Sequence, residues 1–148
     1  MKEKLESILL AINAYEYDEL LNEAHLGNIL SLIHQELGEK SWVGIYRYKE
    51  DKLILSSFQG TPACEVIKIG KGVVGTSFLE KKTIYFEDVT KIENYICCDP
   101  VAKSEICIPL FENNVIVAIF DIDLPFVHDF SNDYSLFEEV AKVIERFI

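Results

Sequence analysis

Thirty-three residues separate Cys64 from Cys98, and each stands in a distinctive setting: Gln59-Gly60-Thr61-Pro62-Ala63-Cys64 and Tyr95-Ile96-Cys97-Cys98-Asp99. Thiols that far apart meet only if the fold brings them together. Once close, they can cycle between dithiol and disulfide, which is a chemistry rather than a packing role. Downstream, Ser104-Glu105-Ile106 and Asp121-Ile122-Asp123 supply carboxyls that such a thiol could use. Crowded carboxylates raise the pKa of at least one member, giving an acid that still donates a proton near neutrality. The remaining carboxylates can hold an ammonium group. The competing reading makes them ordinary solvated acids in a chain that carries 25 Asp and Glu.

The elements that must position these residues follow from periodicity. Leu5, Ile8, Leu9 and Ile12 recur at helical spacing, as do Leu26, Ile29, Leu30 and Ile33, with Leu37 a turn later and Gly38 as the stop. His34, on this second helix, reads as a surface or half-buried residue. A hairpin follows over residues 42–48 and 53–58, turning at the polar Lys49-Glu50-Asp51-Lys52. Alternation places Trp42, Gly44 and Tyr46 on one face, either as a core stripe under a helix or as an aromatic wall for a small apolar group. Gly70-Lys71-Gly72-Val73-Val74-Gly75-Thr76 opens a short helix running to about residue 82, and its glycines suggest backbone N–H groups free to hold an anion. It lacks the spacing of a phosphate loop.

Residues 83–86 form a short strand, and residues 88–103 a long connection containing Cys97 and Cys98, of the kind that is usually functional. A second hairpin spans 105–111 and 115–121 around Glu112-Asn113-Asn114. Phe130-Ser131 then caps a last helix that buries Leu136, Phe137, Val140, Ile144 and Phe147. This is an α+β domain with a largely antiparallel central sheet and packed helices. In the second hairpin the start of one strand lies beside the end of the other, so Glu105 should approach Asp121 and Asp123. Cys98 precedes Glu105 by seven residues, which places a thiol and the carboxyls at one sheet edge.

Composition narrows the class. A chain of 148 residues with 49% hydrophobic content reads as one globular domain over 1–148. Its net charge of −11, with 14 Lys and Arg, argues against nucleic acid, whose phosphates require cationic neutralisation. Met1-Lys2-Glu3-Lys4 leads into a charged amphipathic stretch without a signal peptide's apolar core, and no apolar run approaches spanning length. The expectation is a cytoplasmic protein without membrane attachment, whose cysteines stay reduced and whose disulfides are transient. The four cysteines contain no C-x-x-C pair, and His25, His34 and His128 lie outside their segments. No metal site is expected.

Taken in order, Trp42-Val43-Gly44-Ile45-Tyr46, the Phe58–Cys64 segment, Gly70-Lys71-Gly72-Val73, Cys98-Asp99, Ser104-Glu105-Ile106 and Asp121-Ile122-Asp123 resemble the free methionine-(R)-sulfoxide reductases, which are single GAF-domain enzymes. The resemblance covers roughly residues 15–147. It implies a GAF-like fold, Cys98 as the catalytic cysteine and Cys64 as the resolving one. It also implies Glu105, Asp121 and Asp123 as acids engaging the substrate, with Trp42 and Tyr46 walling its methyl group. The implied reaction reduces free L-methionine-(R)-sulfoxide without metal or organic cofactor. It passes through a Cys98 sulfenic acid and a Cys64–Cys98 disulfide recycled by a thioredoxin-like reductant, in a homodimer.

The chain departs from the family in places. Val74 stands where many members carry a third cysteine, and Tyr95 where they often have histidine. Resolution then rests on Cys64, unless Cys97 or Cys107 substitutes. Adjacent cysteines bridge poorly, which disfavours Cys97. Cys107 shares a strand face with Glu105, or is simply a small core residue. The rival to the enzyme is a GAF module that binds a small ligand, or a diverged homologue with little activity.

Overall fold

The computed structural model describes residues 1–93, 95 and 100–148; Cys97, Cys98 and Asp99 lie outside the described residues. Two helices come first, α1 (Lys2–Ile12) and α2 (Asn22–Leu37). The strands β1 (Trp42–Lys49), β2 (Lys52–Gln59) and β3 (Val66–Lys68) follow, then α3 (Gly72–Glu80) and β4 (Ile84–Phe86). β5 (Ser104–Glu112), β6 (Val115–Leu124) and α4 (Tyr134–Ile144) complete the described order. The strands form one sheet in the order β3-β2-β1-β6-β5-β4, with antiparallel pairing throughout.

Both expected hairpins are present, and both close on left-handed residues. Glu50 and Asp51 have φ of 48° and 60°, and Asn113 and Asn114 have 49° and 63°. Two successive positive-φ residues match the right-handed twist of the flanking strands, which is why short polar residues link them.

Alternation along the strands sorts the side chains into two clusters. Val43, Ile45, Ile106, Ile108, Leu110, Phe120 and Ile122 pack with Leu5, Ile8, Leu30, Phe137 and Ile144 of α1, α2 and α4. The opposite parity sends Trp42, Tyr46, Cys107 and Ile119 toward α3, where they meet Val73, Val74 and Phe78. The central strands are therefore covered on both faces, and any polar group on the α3 face is buried with them.

Several boundaries differ from the sequence reading. β3 was given no bounds in the sequence reading; only Ile67 of its three residues is buried, so hydropathy gives little signal and pairing with β2 defines the strand. β6 continues past Asp121 to Leu124. α3 stops at Glu80 because Lys81 turns left-handed, with φ 54°. The last helix is not capped by Phe130-Ser131. Those residues belong to a 3-10 turn, Phe130–Asn132, capped by the Asp129 side chain, and α4 starts at Tyr134. His34 is half-buried, within the expectation for it, and its Nδ1 lies 3.1 Å from Ser41 Oγ.

Candidate active site

Register brings the acids together. Glu105 pairs with Asp123 and Cys107 with Asp121 across β5 and β6, while Trp42 and Gly44 pair with Asp123 and Asp121 from β1. All of these positions face α3. The three carboxyls are buried, with relative exposures of 4% for Glu105, 4% for Asp121 and 7% for Asp123. The solvated-acid reading therefore fails for them.

A buried carboxyl must find partners or keep its proton. Cys107 Sγ lies 3.3 Å from Glu105 Oε1 and 3.3 Å from Asp121 Oδ1, within donating distance of each. Tyr95 and Asp121 border the same cavity as Glu105, and side-chain polar atoms of Glu105 and Asp121 lie within 4.8 Å. Burial pushes Glu105 up to about 8, and the charge of Asp123 pushes the same way; the polar side chains of Cys107, Tyr95 and Asp121 oppose the rise. This is an acid that keeps its proton at neutral pH because of where it sits.

Tyr46 and Tyr95 are raised as well, chiefly by burial, with the acids adding to it. Burial, then Asp121 and Glu105, hold the Cys107 thiol well above its usual range. Cys107 is thus a donor to the carboxyls, and a fully protonated thiol is a poor nucleophile. Glu105, Cys107 and Asp121 bring side-chain polar atoms within 4.8 Å of one another.

The cluster opens on a small cavity of about 20 Å³ lined by Tyr46, Val73, Tyr95, Glu105, Asp121 and Asp123, among others. That is room for a group the size of one water. Beside it lies a cleft of about 660 Å³ reaching from Gly70 and Thr76 to Tyr85, Ile92 and Glu93. Lys71, Gly72, Val73 and Tyr95 border both spaces.

Of the aromatic pair, Tyr46 lines the cavity and Trp42 stands one layer behind it. The Trp42 ring stacks on Tyr46 at 6.1 Å and on Phe58 at 5.5 Å, and its Nε1–H donates to the Thr61 carbonyl at 2.9 Å. Gly44 makes this possible: a Cβ there would lie 2.3 Å from Trp42 Cη2. The indole itself fills the space beside Gly44. Tyr46 donates its hydroxyl to the Cys64 carbonyl at 2.9 Å, bringing the Cys64 segment against β1. Cys64 is disulfide-bonded, and which cysteine it pairs with lies outside the described residues. Cys98 lies outside them too. Tyr95 as a lining residue of the acid cavity was missed by sequence reasoning, and no local pattern announces it.

No family model matches the chain. It is 34% identical over 154 residues to the free methionine-R-sulfoxide reductase of Saccharomyces cerevisiae, covering 98% of this chain and 86% of that protein. Among solved structures it is similar to the free methionine-R-sulfoxide reductase of Neisseria meningitidis in complex with its substrate. The TM-score is 0.83 and the identity 32%, over 99% of this chain and 87% of that one. A structure described as a GAF domain superposes with a TM-score of 0.84 at 34% identity, over 99% of this chain and 88% of that one. The fold is that of a GAF domain.

Proposed function

This chain belongs to the free methionine-R-sulfoxide reductase family, a family of oxidoreductases, and we propose that it reduces free L-methionine-(R)-sulfoxide to L-methionine. The observation that carries this reading is Glu105. It is a buried carboxyl held at about 8 in a cluster with Asp121 and Asp123, beside a cavity sized for an ammonium. An acid of that strength is protonated when a sulfoxide needs its oxygen protonated.

In the proposed mechanism the Cys98 thiolate attacks the sulfoxide sulfur while a carboxylic acid of the cluster protonates the departing oxygen. The protonated oxygen passes to the Cys98 sulfur as the substrate S–O bond and the transient bond between the two sulfurs break, so methionine leaves reduced by two electrons and Cys98 is oxidised to a sulfenic acid. Cys64 then condenses with it, forming a Cys64–Cys98 disulfide and releasing water. A thioredoxin-like dithiol restores both thiols by exchange and is itself oxidised. The cluster's negative charge holds the substrate α-ammonium in the small cavity, and the rest of the molecule extends toward the adjoining cleft. Tyr46 serves as wall there, with Trp42 backing it. The reading includes a cytoplasmic homodimer, and sedimentation velocity in solution checks the dimer. No helix among the described residues is long and apolar enough to cross a membrane.

The test uses resolved (R)- and (S)-methionine sulfoxide with thioredoxin, its reductase and NADPH, following NADPH consumption. Turnover is expected for the free (R) form alone and is abolished in Cys98→Ser. An inactive wild type, or a Cys98→Ser variant with full activity, would sink the proposal and favour a ligand-binding GAF module. Thiol titration after substrate exposure then asks about resolution: wild type loses two thiols, and Cys64→Ser does not.

A further inference from the structure

Strand pairing at one end of the sheet aligns three lysines. Lys49 stands opposite Lys52 across β1 and β2, and Lys52 stands opposite Lys68 across β2 and β3. Residues directly opposite one another project from the same face, so the three form one row. Leu53 and Ile67, the next pair along, are buried toward α3, which puts the row on the other face. All three lysines are exposed. We propose that this row and the adjoining edge strand β3 are the docking surface for an acidic dithiol protein that reduces the Cys64 disulfide. The inference rests on the proposed recycling step and adds to it the chemistry of the partner and the surface it meets.

Like charges placed directly opposite one another destabilise a sheet, so packing alone does not account for the row. A lysine on an edge strand commonly guards it against pairing with another sheet. Lys68 alone serves that purpose, because β3 is the end strand. Lys49 and Lys52 lie on inner strands, where no edge needs guarding. Neighbouring acids do not neutralise the row either. No ion pair among the described residues involves Lys49, Lys52 or Lys68. Glu23 is engaged by Arg47 at 3.7 Å, and Asp51 accepts from the Tyr48 hydroxyl at 2.8 Å. The Tyr48 ring stacks on Phe78 of α3, so it draws Asp51 to the opposite face. Glu50 at the hairpin tip and Glu65 ahead of β3 are the remaining acids beside the row in the chain.

Position relative to the disulfide favours this partner. β3 begins two residues after the half-buried Cys64, and Lys68 follows Cys64 by four residues, about 13 Å at the rise of an extended chain. The outer edge of β3 has no strand beside it among the described residues, and Val66 on that strand is 51% exposed. Transient redox encounters bury less than about 1,200 Å² in total, a footprint roughly 25 Å across on each partner. One such footprint takes in Cys64, Val66 and the lysine row. The chain carries −11 overall, so its general field repels an acidic protein, and a local cationic row fixes where such a protein lands. There, one thiolate of the partner attacks Cys64 Sγ and forms a mixed disulfide, while the cysteine bridged to Cys64 departs as a thiolate and takes up a proton. The partner's second thiol loses its proton and attacks its own sulfur in the mixed disulfide. Cys64 leaves as a thiolate, and the partner closes its disulfide, oxidised by two electrons.

The test needs no sulfoxide. Oxidised protein is mixed with a reduced acidic thioredoxin, and the second-order rate at which the Cys64 disulfide is lost is read by acid quench, alkylation and mass. The triple variant Lys49→Gln, Lys52→Gln, Lys68→Gln should react about tenfold more slowly at an ionic strength of about 20 mM. At about 0.5 M, where charges are screened, the deficit should shrink to about twofold. Lys→Arg at the same three positions keeps the charge and should stay within about twofold of wild type. Dithiothreitol, a small uncharged dithiol, should reduce every variant at one rate, which separates docking from damage to the fold. Lys2→Gln, Lys4→Gln, Lys142→Gln removes equal charge from α1 and α4 and should leave the thioredoxin rate within about twofold of wild type. A thioredoxin rate unmoved in the row variant overturns the inference, including the case in which the row binds a DNA oligonucleotide instead. So does an equal loss in the α1 and α4 variant, a dithiothreitol rate that falls in step, or a wild-type disulfide that thioredoxin leaves intact. A wild type that turns over no methionine sulfoxide sinks the reductase reading, and these rates still decide the docking surface.

Discussion

Replacing Glu105 with Gln should change the pH dependence of folding in a direction fixed by the site. Glu105 sits at about 8 in the folded chain against an ordinary 4.5. Between those values the folded protein holds a proton that the unfolded chain has released. Stability gained from this group is therefore complete below about pH 4.5 and is lost as pH rises through about 8. The slope reaches about 1.4 kcal/mol per pH unit, and the interval between 4.5 and 8 gives a total of about 5 kcal/mol. Glu105→Gln is neutral at every pH and removes that loss, although it weakens the bond from Cys107 by about 1–2 kcal/mol. The assay is urea denaturation of oxidised wild type and variant at pH 5, 6.5, 8 and 9. The variant should be the less stable of the two at pH 5 and the more stable at pH 9. Stability curves that stay parallel across this range would refute the claim that Glu105 is a buried, protonated acid. The same value keeps about nine in ten molecules protonated at pH 7, where an ordinary carboxyl would be almost wholly ionised.

Other outcomes follow from the packing around the site. Tyr46→Phe removes the donor to the Cys64 carbonyl at 2.9 Å; it should cost about 1 kcal/mol in denaturant unfolding and leave the fold intact. Gly75→Ala would put a Cβ 2.4 Å from the Lys68 carbonyl oxygen and 3.1 Å from Gly70 N. Because backbone must move to relieve it, a loss of about 1–3 kcal/mol is expected by thermal melting. Cys107→Ser keeps a donor to the acids, so substrate should still consume two thiols in that variant; consumption of none would make Cys107 a redox partner.

The sequence already contained the convergence of Glu105, Asp121 and Asp123, because a hairpin around Asn113-Asn114 with period-two alternation leaves them nowhere else to go. It also contained the two-sided burial of β1, where Trp42 to Tyr46 is apolar without interruption. What it lacked were features made by tertiary contact. β3 exists because β2 offers it an edge. Tyr95 comes to the cavity of Glu105 from outside the sheet, and no periodicity encodes that placement. The burial of the acids was open for the same reason: a carboxylate on a strand reads alike whether water or α3 lies above it.

Trp42 is the chain's single tryptophan, and its ring lies against Tyr46, whose hydroxyl in turn touches the Cys64 backbone. All indole emission from this protein thus originates one layer behind the acid cavity. Oxidation or reduction at Cys64, or occupancy of the cavity, acts on the surroundings of that one fluorophore. The molecule carries its own optical reporter, and the redox cycle can be followed without attaching a label.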